Sequence, residues 1–349
     1  MAASALARET VPLVLDTLLP YYVVSRACVA EDMRRRVMSI LLFGIAFQAL
    51  VGLAEALSHH LLYAQLQYLY GVRFNIIGAM TRGAFIRSQA AFPGPLVLAV
   101  LIVFGLGLWF ALRPREKSRA YTVLGLVLLG GLLSTFSRGP LLGLFILIGS
   151  AFLLRFLSPR RFLVLAALAT VVLAVAWSFG LGDVVVTFVN SFSGEDKTAD
   201  FNVIYRQELL KMSIALIQQS PWWGVPNYLQ QLESLRQGEG IIDLVNTYLV
   251  ITLNVGAFGL VLFLIPYLLS LWKQASVREP ESLALRREGL AWLPLTLTVL
   301  AVVFTVSPVS IIRPILIWTV ALALARLQGA SPVAKRAHAA FGAPARADG

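Results

Sequence analysis

Apolar segments close to the length of a membrane-spanning helix recur along most of the chain, and few charged residues interrupt them. Only 13% of the 349 residues are charged and 58% are hydrophobic, whereas soluble domains carry about 25% charged residues. About 20 consecutive apolar residues cross the hydrocarbon core of a bilayer as a helix. The sequence therefore predicts an all-α polytopic membrane protein.

About eight transmembrane helices can be drawn from these segments. They cover about 37–57, 91–112, 121–136, 139–157, 162–181, 245–272, 290–306 and 311–327. Residues 1–36 hold a shorter apolar stretch broken by Pro12, Asp16 and Pro20, which predicts an interfacial or re-entrant segment. The predicted organisation is then helices 1–5 over 37–181, one large loop with amphipathic helices over 182–244, helices 6–8 over 245–327, and a disordered tail over 328–349.

The distribution of positive charge predicts the orientation of these helices. With the N-terminus in the cytoplasm, most of the 29 lysines and arginines fall in cytoplasmic segments, such as 34–36 and 113–119. The loop at 182–244 and the segment at 58–90 then lie on the opposite side of the membrane. The net charge of +11 is thus explained by topology, and we do not expect nucleic acid as a partner.

Cysteine and histidine content argues against a metal site or a redox centre. The single cysteine, Cys28, excludes an internal disulfide and a thiolate cluster. The three histidines, His59, His60 and His338, do not have the spacing of a zinc motif. The sequence therefore predicts neither a metal nor a cofactor.

The most polar stretch, 200–260, begins with an amphipathic helix over Asn202–Gln219. On a helical wheel its apolar arc holds Tyr205, Leu209, Leu210, Met212, Ile214, Leu216 and Ile217. Arg206 falls near the middle of this arc, where a guanidinium is costly without an anionic partner. We interpret Arg206 as a candidate ligand for a phosphate-bearing molecule. The alternative is an arginine whose stem lies along the membrane surface.

Turns next to the predicted spans hold further candidates. Arg138 lies in the tight turn between the third and fourth spans, either as a functional cation or as a cap on the preceding helix. The turn Pro221-Trp222-Trp223-Gly224 presents two indoles, suited to a membrane interface or to stacking on sugar rings.

The start of the sixth span combines an acid, two amides and two glycines. Asp243 is either a functional acid or a structural residue, as an N-cap or an acid in the first helical turn. Asn246 and Asn254 are predicted to lie on one helical face, and Gly256 and Gly259 to let a neighbouring helix approach closely.

In this order and on this side of the membrane, the motifs resemble the O-antigen ligase / O-antigen polymerase superfamily of bacterial envelope glycosyltransferases. The resemblance covers about Thr81–Leu264 and rests on Ser137-Arg138-Gly139, Arg206, Pro221–Gly224, Asn246-Thr247-Tyr248-Leu249 and Gly256–Gly259. The segment Asp16–Arg26 also resembles the exopolysaccharide polymerase branch. There are two departures: the ligases carry a histidine where this chain has Val245, and family members usually have more spans before residue 16, which suggests a truncated start.

The resemblance implies glycan transfer from an undecaprenyl-diphosphate donor to an acceptor sugar hydroxyl, at the periplasmic face of the bacterial inner membrane and without a metal. Arg138 and Arg206 would stabilise the diphosphate leaving group. Asp243 would be the base, with Glu208 as the other option, and the missing histidine favours a polymerase over a ligase. The remaining substrate-binding candidates are Asn246, Arg87, Arg82, Arg313, Trp223 and Tyr248.

Two other classes remain open. A transporter or flippase of lipid-linked glycan would show inverted repeats and ionisable residues at mid-membrane, whereas the polar groups here gather at one face. A catalytically impaired assembly subunit is the second alternative, because of Val245 and the short N-terminal region. In each case the expected partners are a lipid-linked glycan, an acceptor glycan or lipid, the membrane, and polysaccharide assembly or export proteins.

Overall fold

The computed structural model describes most of the chain, and the remaining residues are left aside. It covers residues 11, 14–70, 78–82, 85–113, 118–154, 161, 164, 197–235, 242, 244, 246–276 and 283–329, without the side chains of 67, 68, 82, 197–204, 206 and 283–290. Nearly all of the predicted fifth span, together with Asp243, Val245 and the part of the tail after Gly329, lies outside the described residues.

The described part of the chain is predominantly helical. A π-helix at Val14–Leu18 precedes helices α1 (Leu19–Ala27), α2 (Glu31–Ser58), α3 (Leu62–Tyr70), α4 (Pro95–Ala111), α5 (Arg119–Ser134), α6 (Arg138–Leu153), α7 (Lys197–Gln219), α8 (Tyr228–Gln231), α9 (Thr247–Ser276), α10 (Leu283–Val302) and α11 (Ile312–Gly329). Short 3₁₀ turns occupy Glu233–Leu235 and Val303–Thr305. Strands β1 (Thr81–Arg82) and β2 (Phe85–Ile86) form a small antiparallel hairpin.

Three of these helices, α2, α9 and α11, are long and apolar enough to cross a membrane. Helices α4, α5 and α6 and the segment Ala291–Thr305 are apolar but shorter. All of them fall where the sequence predicts spans, with shifted ends. The helical fold class is confirmed, whereas the count of eight spans and the sidedness of the loop stay predictions.

The chain divides into two compact units, the first being Met1–Ala151, Pro266–Val302 and Pro308–Gly349. Helix α4 lies at its centre, since nearly every residue from Pro95 to Leu108 is buried and α2, α5 and α10 pack against it. Helices α2 and α5 approach closely at Gly131, where an added Cβ would lie 2.7 Å from the Cβ of Ala49. Only glycine permits this packing.

The second unit is Phe152–Ile265 with Val303–Ser307. Its core contains Leu209 and Leu216 of α7, Val225, Leu232, Leu244, and Leu253 of α9. The buried stripe of α7 is narrower than the predicted arc, because Leu210 and Ile214 are 41% and 44% exposed while Ser213 is buried. Burial on α7 follows positions 209, 213 and 216, which face this core at helical spacing.

Helix α9 is broken at Gly256, where φ is 67° and ψ is −173°. The rings of Tyr248 and Phe263 nevertheless lie 6.3 Å apart. Fifteen residues of straight helix would separate them by about 22 Å, so the first part of α9 folds back along the second. The sixth span is therefore not the continuous helix predicted over 245–272. Residues 257–276 alone are long enough to span, at roughly 30 Å.

Candidate functional site

A buried carboxylate anchors the segment that carries Arg87. Glu55, near the end of α2, is fully buried. Its Oε1 accepts a hydrogen bond from the backbone N–H of Leu62 (3.1 Å), and its Oε2 accepts from those of Gln89 (3.0 Å) and Ala90 (2.9 Å). Ser88 adds a hydrogen bond from its hydroxyl to the carbonyl of Gly52 (2.6 Å). The residues after the β-hairpin are thus fixed to α2.

Glu55 was not among the predicted site residues, although the sequence carries a signal for it. It is the only acidic residue in the predicted span at 37–57. An ionisable side chain inside an apolar span is costly, so it usually has a specific partner or a function. In this protein the partners are backbone N–H groups, which gives Glu55 a positioning role.

Arg87 joins this segment to the turn between α5 and α6. Its Nε donates to the carbonyl of Thr135 (3.1 Å), and its Nη2 donates to the hydroxyl of Ser137 (3.0 Å). Helix α5 ends at Ser134, so a cation here interacts favourably with the carboxyl end of the helix. The stacked rings of Phe85 and Phe136, 5.5 Å apart, support the same junction.

The cap that the sequence assigned as the alternative role of Arg138 is therefore provided by Arg87. Arg138 is exposed and is the first residue of α6. A cation at the amino end of a helix is unfavourable for the helix dipole, so dipole capping does not explain its position. The structure brings Arg87 and Arg138 to the same turn.

The two other arginines of the first unit differ from this pair. Arg82 lies on β1, opposite Phe85 of β2, and its side chain is not described. Arg313 is exposed and donates from Nε to the carbonyl of Pro308 (2.8 Å). This bond braces the turn before α11.

The candidates on α7 are only partly described. Arg206 lies within the helix, but its side chain is outside the described residues, so its place in the apolar arc stays a prediction. Lys211 and Glu208, which are not on the apolar arc, are exposed. Asp243, the predicted base, is outside the described residues.

Asn246 is the N-cap of α9. Its Oδ1 accepts hydrogen bonds from the backbone N–H groups of Tyr248 (2.9 Å) and Leu249 (3.2 Å), as an N-cap amide does. Helix α9 begins at Thr247 and Asn246 caps it, whereas Asp243, the residue predicted as a possible N-cap, is outside the described residues. The cap uses only Oδ1, which leaves the amide N–H groups of Asn246 able to donate to a ligand.

The two asparagines make different hydrogen bonds, and their predicted position on one helical face stays a prediction. Asn246 precedes the helix as its cap, and the Asn254 amide donates to the carbonyl of Val250 (2.7 Å) and to the hydroxyl of Tyr228 (3.2 Å). Tyr248 is half-buried, with its ring 6.4 Å from that of Phe304. The hydroxyls of Thr247 and Ser307 donate to the carbonyls of Val306 and Leu244, each at 2.6 Å, and fix the start of α9.

Trp223, predicted to contact sugar, is 76% exposed, and its neighbour Trp222 is 67% exposed. The Trp223 ring lies 5.9 Å from that of Phe258 on α9. The close approach predicted at Gly256 is made by the backbone of this tryptophan turn, not by a neighbouring helix, and Gly259 faces the side chain of Val255. The described residues contain no group of three or more His, Cys, Asp or Glu side chains suited to a metal ion.

Comparison with known proteins supports the motif interpretation. Residues 123–264 match the family described as O-antigen ligase, whereas no curated protein matches the chain significantly. The matched region includes the Arg138 turn, Arg206, the tryptophan turn and the capped start of α9. This match, which covers less than half of the chain, supports the predicted resemblance to the O-antigen ligase superfamily, and α2, α9 and α11 are long and apolar enough to cross a membrane.

Proposed function

We propose that the protein is a glycosyltransferase of the polysaccharide polymerase type. In this proposal it transfers glycan from an undecaprenyl-diphosphate donor to an acceptor sugar hydroxyl at the periplasmic face of the inner membrane. The observation that carries the proposal is the O-antigen ligase match over 123–264, which contains an exposed arginine, Arg138, in a turn fixed by Arg87 and Ser137.

In the proposed reaction, the acceptor oxygen bonds to the anomeric carbon of the donor while the bond from that carbon to the diphosphate oxygen breaks. The electron pair of the broken bond goes to the diphosphate, and the acceptor hydroxyl loses its proton to a base. Negative charge therefore develops on the leaving group. Arginine guanidinium groups stabilise such charge by bidentate, charge-assisted hydrogen bonds.

Arg138 is suited to this role by its surroundings. It begins α6, and the first N–H groups of a helix favour a bound anion. The turn before it is held by Arg87, by the Ser137 N–H donating to Thr135 Oγ1 (3.3 Å), and by the Thr135 hydroxyl donating to the carbonyl of Leu132 (2.7 Å). Such a turn positions its arginine before the substrate binds. Arg82 and Arg313 are secondary candidates for the same anion.

In the second unit, Arg206 is proposed as a further diphosphate ligand and Asp243 as the base. Asn246 would donate its amide N–H groups to a sugar hydroxyl while its Oδ1 caps α9. Tyr248 is a further sugar contact of this proposal, whereas for Trp223 the sequence leaves sugar stacking and a membrane interface as alternatives. The absence of histidine at position 245 supports a polymerase rather than a ligase, since the ligases carry a histidine there.

The test is glycan elongation by purified protein in vesicles that contain lipid-linked glycan and EDTA. We expect elongation without added metal, and loss of about a hundredfold in rate for Arg138→Ala, the magnitude of one lost transition-state contact. Arg119→Ala is the matched control, because Arg119 is exposed at the opposite end of α5. The proposal is contradicted if elongation requires magnesium or manganese, or if both variants behave alike.

Transport of a lipid-linked glycan is the alternative, since broken helices are common in transporters and α9 is broken at Gly256. Two of the backbone groups at this break are hydrogen-bonded to other parts of the protein, however: the Leu253 carbonyl and the Ala257 N–H bond to Val225 and Pro221. If labelled lipid-linked glycan crosses the vesicle membrane and no new glycosidic bond forms, the transport function is favoured.

A further inference from the structure

The turn Pro221–Gly224 fills the break in α9. In a continuous helix the N–H of Ala257 would donate to the carbonyl of Leu253. Here the Ala257 N–H donates to the carbonyl of Pro221 (2.8 Å), and the Leu253 carbonyl accepts from the N–H of Val225 (2.7 Å). The donor and the acceptor of this missing helical hydrogen bond are thus both bonded to the turn or to the residue that follows it. The Phe258 N–H adds a third bond, to the Trp222 carbonyl (3.4 Å).

Two glycines fix the turn at this place. Gly256 has φ of 67°, and a Cβ there would lie 2.1 Å from the carbonyl oxygen of Trp222. Gly224 has φ of 83°, and its Cβ would lie 2.7 Å from the backbone carbon of Asn254. Backbone therefore packs directly on backbone from both sides. The backbone that carries Trp222 and Trp223 is therefore held in place against α9.

The side chains on this base are exposed although they are large and apolar. Trp222 and Trp223 are among the most exposed hydrophobic residues described. They continue an exposed apolar surface along the second part of α9, formed by Phe258, Val261, Leu262, Ile265, Leu268, Leu269 and Trp272. Because 257–276 is long enough to span a bilayer, lipid is the natural cover for that surface.

We propose that Trp222 and Trp223 insert into the phospholipid interface at the amino end of 257–276 and anchor the tryptophan turn to the membrane. Indole rings prefer this interface, where the ring is apolar and its N–H remains hydrated. Trp272, 67% exposed, lies near the other end of the same segment, as aromatic residues do at both ends of a span. The surface is a continuation of the lipid-facing helix, which favours bulk phospholipid over a bound sugar.

An anion is a poorer partner for this end of the helix. The N–H groups of Ala257 and Phe258, which a free helix terminus would offer to an anion, already donate to the carbonyls of Pro221 and Trp222. The proposed anchor does not depend on the proposed glycosyltransferase activity.

The experiment measures tryptophan fluorescence in vesicles of brominated phosphatidylcholine. Spectra are recorded for the unaltered protein and for the double variant Trp222→Phe/Trp223→Phe. The difference between them is the emission of these two tryptophans. We expect bromines near the headgroup to quench this difference emission at least twofold more than bromines deep in the acyl chains. Trp292→Phe is the matched control, because Trp292 is fully buried and its emission should show no such depth preference.

A second measurement covers the case in which the double variant does not fold. Cys28→Ser removes the single cysteine, and one nitroxide label is then placed at Trp223→Cys, at Leu262→Cys on the apolar surface, or at Gln230→Cys on α8. We expect the label at 223 to be more accessible to oxygen than to a nickel chelate, as at 262. The anchor is refuted if position 223 is as accessible to the chelate as position 230, or if brominated lipid does not quench the pair.

Discussion

Two cationic residues of α7, Arg206 and Lys211, are predicted to have different roles: Arg206 binds the donor diphosphate, and Lys211 is a solvated surface charge. Arg206→Lys keeps the positive charge but loses the planar group that binds a diphosphate bidentately. We expect the rate of glycan transfer to fall on the order of a hundredfold, or roughly 3 kcal/mol. Lys211→Ala removes an exposed charge and should leave the rate near that of the unaltered protein. Transfer rates in vesicles, at equal amounts of inserted protein, measure both.

Two outcomes would contradict the role of Arg206. One is an unchanged rate in Arg206→Lys, and the other is an equal loss in both variants. The amount of inserted protein is the necessary control, because an arginine at a membrane surface can also anchor its helix.

Glu55 leads to a prediction about stability rather than chemistry. Glu55→Ala leaves the N–H groups of Leu62, Gln89 and Ala90 without their acceptor, and each unsatisfied buried group costs about 1–3 kcal/mol. We therefore expect a marked fall in the melting temperature of the detergent-purified protein. Glu55→Gln keeps one carbonyl oxygen and should lose less.

Asp32→Ala is the control for Glu55, because Asp32 is an exposed acid at the other end of the same helix. It should melt close to the unaltered protein. If Glu55→Ala does so as well, the carboxylate is not what holds the 88–90 segment to α2.

At the scale of elements, α9 shows what periodicity can and cannot predict. The apolar run that begins near residue 245 correctly predicted a helix, because apolar composition persists on both sides of the break. The break depends on the backbone dihedrals of one glycine and on bonds to a turn more than 30 residues earlier. A pattern of local residues does not encode such a contact.

Sequence signals existed for some site features and were missing for others. A lone acid in an apolar span marked Glu55, and an asparagine before a helical run marked the cap at Asn246. Nothing local distinguished Arg87 from Arg138 as the cation at the end of α5. That choice depends on the β-hairpin segment reaching the turn, which is a long-range contact.

The break in α9 predicts that replacing Gly256 by alanine lowers the stability of the protein strongly. Gly256 has φ and ψ values that are essentially restricted to glycine, and the Trp222 carbonyl leaves no space for a Cβ. We expect Gly256→Ala to lower stability by at least about 3 kcal/mol, measured as a loss of folded protein after heating. Gly149→Ala on α6 meets open space and should be tolerated. Equal heat resistance of the two variants would show that the turn does not require this backbone conformation.

For the whole molecule, the proposed reaction constrains the topology, because a lipid-linked donor must reach the reacting residues from one side of the membrane. The charge distribution predicts that 113–119 is cytoplasmic and 182–244 periplasmic. Positions 117 and 194 lie outside the described residues, so labelling is the direct measurement. In the Cys28→Ser background, a membrane-impermeant thiol reagent applied to intact cells should label Gly194→Cys and not Lys117→Cys.

Disruption of the cells should then expose Lys117→Cys to the same reagent, which controls for a cysteine that is buried and not cytoplasmic. Labelling of both positions in intact cells, or of neither until disruption, would place the loop at 182–244 on the same side as the basic turn at 113–119. If neither position is labelled until disruption, that side is the cytoplasm, and Arg206 and Asp243 would face it. Because the proposed reaction takes place at the periplasmic face, that single result would exclude both residues from it whatever the effect of their substitution on activity.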